Sequence, residues 1–77
     1  MPTLRDLREE AFMTQVDLAK ACGVSSASIS DWENAKSAPS MKNRRKLMEA
    51  LGKTPHEIME AIRETQRKGS QRERPAA

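Results

Sequence analysis

The residues able to do acid–base, nucleophilic or metal chemistry are few and scattered. His56 is the one histidine, set in Thr54-Pro55-His56-Glu57. A Thr cap followed by Pro opens a helix, so His56 reads as an exposed first-turn residue with no catalytic partner beside it. Cys22 is the only cysteine, which excludes an intrachain disulfide and the usual zinc ligand sets. Its place on an apolar helix face predicts a buried thiol. Asp6, Glu9 and Glu10 are better explained as favourable charge early in the first helix and as its solvated face. With no Gly-rich phosphate loop and no metal-ligand cluster, the chain reads as no enzyme, with neither a cofactor nor a metal. What remains is polar chemistry of another kind. Gln15 opens a helix, Ser25, Ser26, Ser28, Ser30 and Asp31 line the next one, and Lys36, Lys42, Arg44, Arg45 and Lys46 follow with no acid between Asn34 and Met48.

These groups suit contact with a polyanion, although a merely solvated helix face is the plainer reading of the cation run. The net charge is only +3 over 77 residues, but its placement is uneven. Residues 1–62 are neutral, and the whole excess lies in 63–77, with Arg63, Arg67, Lys68, Arg72 and Arg74 against Glu64 and Glu73. A local basic stripe matters more for phosphate contact than the total does. Composition, at 36% hydrophobic and 32% charged, fits one small domain with a modest core. No apolar run approaches the ~20 residues that span a bilayer. The N-terminus alternates apolar with charged residues, unlike a signal peptide. A reducing cytoplasm, on the nucleoid, is the expected location, with no membrane and no small-molecule ligand indicated.

The elements that position these groups are legible from caps and spacing. Thr3 with Asp6 resembles a capping box, and Leu4, Leu7 and Ala11 follow at helical spacing. That predicts a first helix from Leu4 to Ala11 or Phe12, with Phe12 and Met13 closing the core at the turn. Thr14 caps a second helix from Gln15 to Cys22, with Asp17 completing the box and Gly23 stopping it in a positive-φ conformation. Val24 plugs the turn. Ser25 caps a third helix through Glu33, with Ile29 and Trp32 inward and Ser26, Ala27, Ser30 and Asp31 outward. Ser40 caps a fourth helix, Met41 to Leu51, with Leu47, Ala50 and Leu51 inward and Gly52 as its stop. Thr54, Pro55 and Glu57 open a fifth, which buries Ile58 and Ile62 and reaches Lys68 at most, because no large apolar residue follows Ile62. The fold class is therefore all-α, a compact five-helix bundle. The domain covers residues 1–68, and residues 69–77 are expected to be a basic, disordered tail. Residues 14–34, two short helices about a tight turn, form a helix-turn-helix, whose second helix can enter the major groove of DNA.

The pattern Leu4-x-x-Leu7-Arg8, Met13-Thr14-Gln15-x-x-Leu18-Ala19, Gly23-Val24-Ser25, Ile29-Ser30-x-Trp32-Glu33-Asn34, Pro39-Ser40 and Leu47 resembles the XRE family, the phage-repressor/Cro type of helix-turn-helix protein, over about residues 3–62. The resemblance implies a lambda-repressor-like domain that binds double-stranded DNA, often as a homodimer on a palindromic site. It implies a phosphate contact for Gln15 beside Thr14, and a structural ion pair between Arg8 and Glu33. Asn34, Lys36 and the backbone near Ser40 would follow the phosphates, with Lys42 and Arg45 adding charge. Helix 25–34 would carry the base contacts, at Ser26, Ala27 and Asp31, with Ser25, Ser28 and Ser30 close by.

Two features depart from the family pattern. Base readers commonly use Gln, Asn, Arg or Lys, whose paired donors and acceptors fit adenine or guanine. This helix offers none, so modest base specificity is expected, with affinity drawn from Gln15, the basic stripe and the tail. Ala35 stands where the family commonly has Gly, and Asn34 is expected to take the positive-φ conformation in its place. The rival reading keeps the fold but uses it for protein contact, as an antitoxin-like or anti-repressor component, with Met41, Met48, Met59 and Ile62 as its surface.

Overall fold

The computed structural model describes the backbone of residues 1–73 and the side chains of residues 1–69. Among the described residues there are five helices and no strand: α1 (Leu4–Glu10), α2 (Gln15–Cys22), α3 (Ser26–Glu33), α4 (Met41–Leu51) and α5 (Pro55–Glu73). Three starts are capping boxes. Thr3 Oγ1 accepts from the Asp6 N–H at 3.2 Å while Asp6 accepts from the Thr3 N–H at 2.9 Å. The same reciprocal bonds join Thr14 to Asp17 and Thr54 to Glu57. Ser25 and Ser40 cap α3 and α4 by accepting from the N–H groups of Ser28 and Asn43. These bonds satisfy helix donors that have no intrahelical partner.

The core is one cluster to which every helix contributes. Leu4 and Leu7 of α1 meet Leu18, Ala19 and Cys22 of α2, Ile29 and Trp32 of α3, Leu47 and Leu51 of α4, and Ile58, Ala61 and Ile62 of α5. Each large aliphatic side chain removed from water contributes about 2 kcal/mol. With helices this short, that shared burial is what holds them, because isolated helices of 7 or 8 residues are marginal in water. Met13, Val24, Met48 and Ala50 pack against the cluster from its edge. Burial pushes the Cys22 thiol above its usual range.

Four helices end in the same way. A backbone N–H reaches back five residues to a carbonyl, from Met13 to Arg8, Val24 to Ala19, Lys36 to Asp31 and Lys53 to Met48. That closure forces the residue just before the donor into the left-handed region. Gly23 and Gly52 take it cheaply at φ 68° and 64°. At the other two ends the residue is Phe12 at φ 57° and Ala35 at φ 61°. This corrects two expectations. Phe12 does not close the core; it is 96% exposed, and Met13 fills the turn instead. Asn34 does not take the positive φ, since its φ is −96°; the closing bond selects Ala35 by position, whatever residue stands there.

The fifth helix is longer than its apolar spacing predicts. It passes Lys68 and continues through Gly69 to Glu73, while residues 74–77 of the expected tail lie outside the described residues. Thr65 explains the continuation in part. Its buried hydroxyl accepts from the Leu4 N–H at 3.0 Å and donates to the Ala61 carbonyl at 2.7 Å, pinning α5 to the start of α1. Gly69, buried one turn further on, lies against Ala35.

Two expected outcomes follow from these termini. Replacing Phe12 by Gly removes left-handed strain and loses no packing, so urea unfolding should show a gain of about 0.5–1 kcal/mol. The capping bonds, chiefly from the backbone N–H of Thr3, Thr14 and Thr54, hold the Asp6, Asp17 and Glu57 carboxyls below their usual range. A lowered folded-state pKa stabilises above the unfolded value and is lost as pH falls through the folded one. The urea midpoint should therefore stay level from pH 7 to 5 and fall below about pH 4.

Candidate nucleic-acid interface

The geometry of the helix-turn-helix is fixed by one charged cluster. The Arg8 guanidinium donates from Nε to Glu33 Oε2 at 2.6 Å and from Nη2 to Glu33 Oε1 at 3.2 Å. Its Nη1 donates to the Met13 carbonyl at 2.8 Å. Both charged side chains are more than nine-tenths buried. The carboxylate bonds hold the Arg8 guanidinium pKa above its ordinary value. Gln15 joins the cluster, with Nε2 donating to Glu33 Oε1 at 3.1 Å. One carboxylate at the end of α3 thus ties α1 and the first residue of α2 together. An amide has two N–H donors, so Gln15 keeps one to offer outward beside the N-terminus of α2, where an anion is favoured.

The third helix presents little chemistry on its outer side. Ser26 and Ala27 are exposed, whereas Ser28, Ser30 and Asp31 are half-buried. The hydroxyls of Ser25 and Ser28 lie 3.1 Å apart and bond each other. Ser30 Oγ accepts from the Asn34 amide at 3.2 Å. Asp31 is the one charged residue of α3 besides Glu33.

The basic stripe separates into parts once folded. Arg44 is half-buried and donates from Nε to the Pro39 carbonyl at 3.1 Å. The Lys46 ammonium sits 3.8 Å from the Cβ position of Gly23, at the C-terminal end of α2, where a cation is stabilising. Lys36 and Lys42 are exposed near the α3 exit and the start of α4, beside Ser40. Arg45 is exposed but shares a face of α4 with Met41 and Met48. That face and α5 enclose a groove of about 300 Å³, completed by Arg44, Pro55, Ile58 and Met59. Met41 is 72% exposed and Met59 40%, while Ile62 is buried and belongs to the core.

A second hollow lies beside the charged cluster and was not foreseen. It is a polar recess of about 120 Å³ lined by Thr3, Arg5, Gln15, Glu33, Asn34, Thr65 and Lys68. Gln15 and Asn34 are expected contact residues, but Arg5 and Thr65 carry no apolar signal and were not expected here, and Lys68 entered the sequence analysis only as part of the C-terminal basic excess. One signal was there: Thr65 and Gly69 continue, at helical spacing, the inward stripe of Ile58, Ala61 and Ile62.

Five helices, a turn-linked α2–α3 pair, and a glutamine held at its start define a helix-turn-helix DNA-binding fold. The helix-turn-helix family model matches residues 4–58. The chain belongs to this family, as an XRE-type protein with the lambda-repressor-like all-α fold. It is a DNA-binding regulatory domain in general character, of a family that is not typically enzymatic. No curated protein matches the chain. No described helix is long and apolar enough to cross a membrane.

The cluster makes a direct prediction. Glu33→Gln leaves a buried guanidinium without its counter-charge, so urea unfolding should show a loss of about 3 kcal/mol. Replacing Arg8 and Glu33 together by Met should cost less than the two single changes added, since no buried charge is then stranded.

Proposed function

We propose that this protein is a transcription regulator that binds operator DNA with modest base specificity, laying helix 25–34 in the major groove. The observation that carries the reading is the Arg8–Glu33–Gln15 cluster. It supports a rigid unit in which Gln15 and Asn34, brought together at the exit of α3, grip the phosphate backbone. Thr14, the backbone near Ser40, and Lys36, Lys42 and Arg45 extend the grip along the strand. Base contact falls to Ser26, Ala27 and Asp31, flanked by Ser25, Ser28 and Ser30. Ala27 packs on a thymine methyl and Asp31 accepts from a cytosine amino group, while a serine hydroxyl serves as donor or acceptor and discriminates poorly. The Ser25–Ser28 and Ser30–Asn34 bonds further occupy those hydroxyls. A homodimer on a palindromic site and a nucleoid location belong to the same proposal. The second reading, a protein-contact module of the antitoxin-like or anti-repressor kind, draws on the exposed Met41 and Met59 beside the α4–α5 groove.

Fluorescence anisotropy of a labelled duplex against salt separates the two. The three cations of this grip, Lys36, Lys42 and Arg45, contribute about −3 to the slope of log K against log salt. Absence of binding at low salt would sink the regulator reading in favour of protein contact. Gln15→Ala should weaken binding on every duplex alike. Asp31→Ala should change base preference or raise affinity, since it removes an acid facing phosphates; a large uniform loss would contradict its assignment.

A further inference from the structure

The recess beside Gln15 is built from four helices, and two of its cations have no role in the reading above. Arg5 comes from α1 and Lys68 from the second half of α5; Gln15 and Asn34 complete its polar wall. The acids nearby are largely answered: Asp6, close enough to Lys68 to feel its charge, accepts from the Thr3 N–H at 2.9 Å. Glu33, which also lines the recess, is held by Arg8 at 2.6 Å and by Gln15. Glu64 is engaged by Arg67 through two bonds of 2.6 and 2.9 Å. Arg5 and Lys68 retain only loose pairings, at 3.8 Å to Glu9 and 3.9 Å to Glu64. The Arg5–Glu9 pair is exposed on both sides and contributes little, and Lys68 is the outer, longer-range partner of a Glu64 carboxylate that Arg67 already holds at 2.6 Å. Two amides and two available cations around a hollow of about 120 Å³ are the chemistry of a site for a phosphodiester oxyanion.

Lys68 reaches this place because of a close backbone contact. Gly69 packs on Ala35, and a Cβ on Gly69 would overlap the Ala35 Cβ. The next atoms a Cβ would meet are the Asn34 carbonyl oxygen at 3.6 Å and the Ala35 Cα at 3.7 Å, both ordinary contacts. Ala35 is therefore the sole obstacle, and the glycine lets α5 lie against the exit of α3.

We propose that Arg5, Gln15, Asn34 and Lys68 form a backbone-phosphate site on DNA, and that the Ala35–Gly69 contact seats α5 so that Lys68 completes it. The proposal rests on the DNA-binding reading and adds two cations from outside the helix-turn-helix to it. Because a phosphate is common to every sequence, the site strengthens binding without sharpening base choice.

The test uses the full chain, an unrelated labelled duplex and a potassium chloride titration. Lys68→Gln is exposed and leaves the core intact. It should flatten the slope of log K against log salt by about 0.9 and weaken binding roughly eightfold near 0.1 M salt, equally on any sequence. Arg5→Gln should do the same. Gly69→Ala should reproduce the Lys68→Gln loss, and should add nothing when combined with it. Ala35→Gly with Gly69→Ala removes the overlap and should restore wild-type binding. Circular dichroism of each variant checks that the bundle is folded. A salt slope unchanged by Lys68→Gln, in a wild type that binds duplex, overturns the phosphate site and leaves the regulator reading standing. Failure of the size swap to restore binding overturns the Ala35–Gly69 seat. Absence of wild-type binding at low salt removes the regulator reading and the site with it.

Discussion

The constraint on which the structure depends is the need to answer a buried guanidinium. Arg8 sits at the edge of the α1 apolar face, and its charge is expensive to bury alone. Glu33 answers it with two bonds, and the Met13 carbonyl takes the remaining arm. Since Glu33 ends α3 and Met13 precedes α2, meeting that demand also fixes how three short helices meet. Gln15 then bonds the same carboxylate. The first residue of α2 is thus held by the last residue of α3, and the helix-turn-helix becomes one rigid piece. Hydrophobic burial supplies most of the stability, but it is directionless; this cluster supplies the orientation.

A division of labour follows in the proposed mode of action. The polar groups that answer phosphate, Thr14, Gln15 and Asn34, are backed by fixed partners, and the cations add charge around them. The groups left to face bases are small hydroxyls, one methyl and one carboxylate. Such a surface pays little entropy to order and gains little in discrimination. The net charge of +3 is accordingly a poor guide to the grip. Lys46 lies at the end of α2 and Arg44 bonds the Pro39 carbonyl, whereas Arg5 and Lys68 are brought to the recess from distant parts of the chain.

The helix ends show how far local chemistry can be read. Capping boxes need only a Thr and an acid three residues on, and all three formed as their residues dictate. The left-handed closures were legible only where glycine marks them. Phe12 and Ala35 take the same conformation because the five-residue closing bond demands it, and nothing in a phenylalanine or an alanine announces that. The exposed Phe12 side chain follows: a left-handed backbone at the turn carries the ring outward, and Met13 fills the space beneath.

By itself the sequence determined the number of helices, most of their limits, most of the inward residues though not Phe12, and the family pattern, because caps and 3.6-residue spacing act within a few residues of chain. It also contained the Arg8–Glu33 pair, but only through the family resemblance; no local rule joins residues 25 apart. The tertiary structure alone decided which cations of the stripe are used internally, and how far α5 extends. It also gathered Thr3, Arg5, Gln15, Asn34, Thr65 and Lys68 around one hollow. The reason is physical. Apolar periodicity records what a helix buries in bulk, whereas the second half of α5 is held by a hydroxyl bond from Thr65 to the start of α1 and by the missing side chain of Gly69. A single polar bond and an absent methyl leave no hydrophobic trace along the chain, and they have meaning only when the partners they meet are in place.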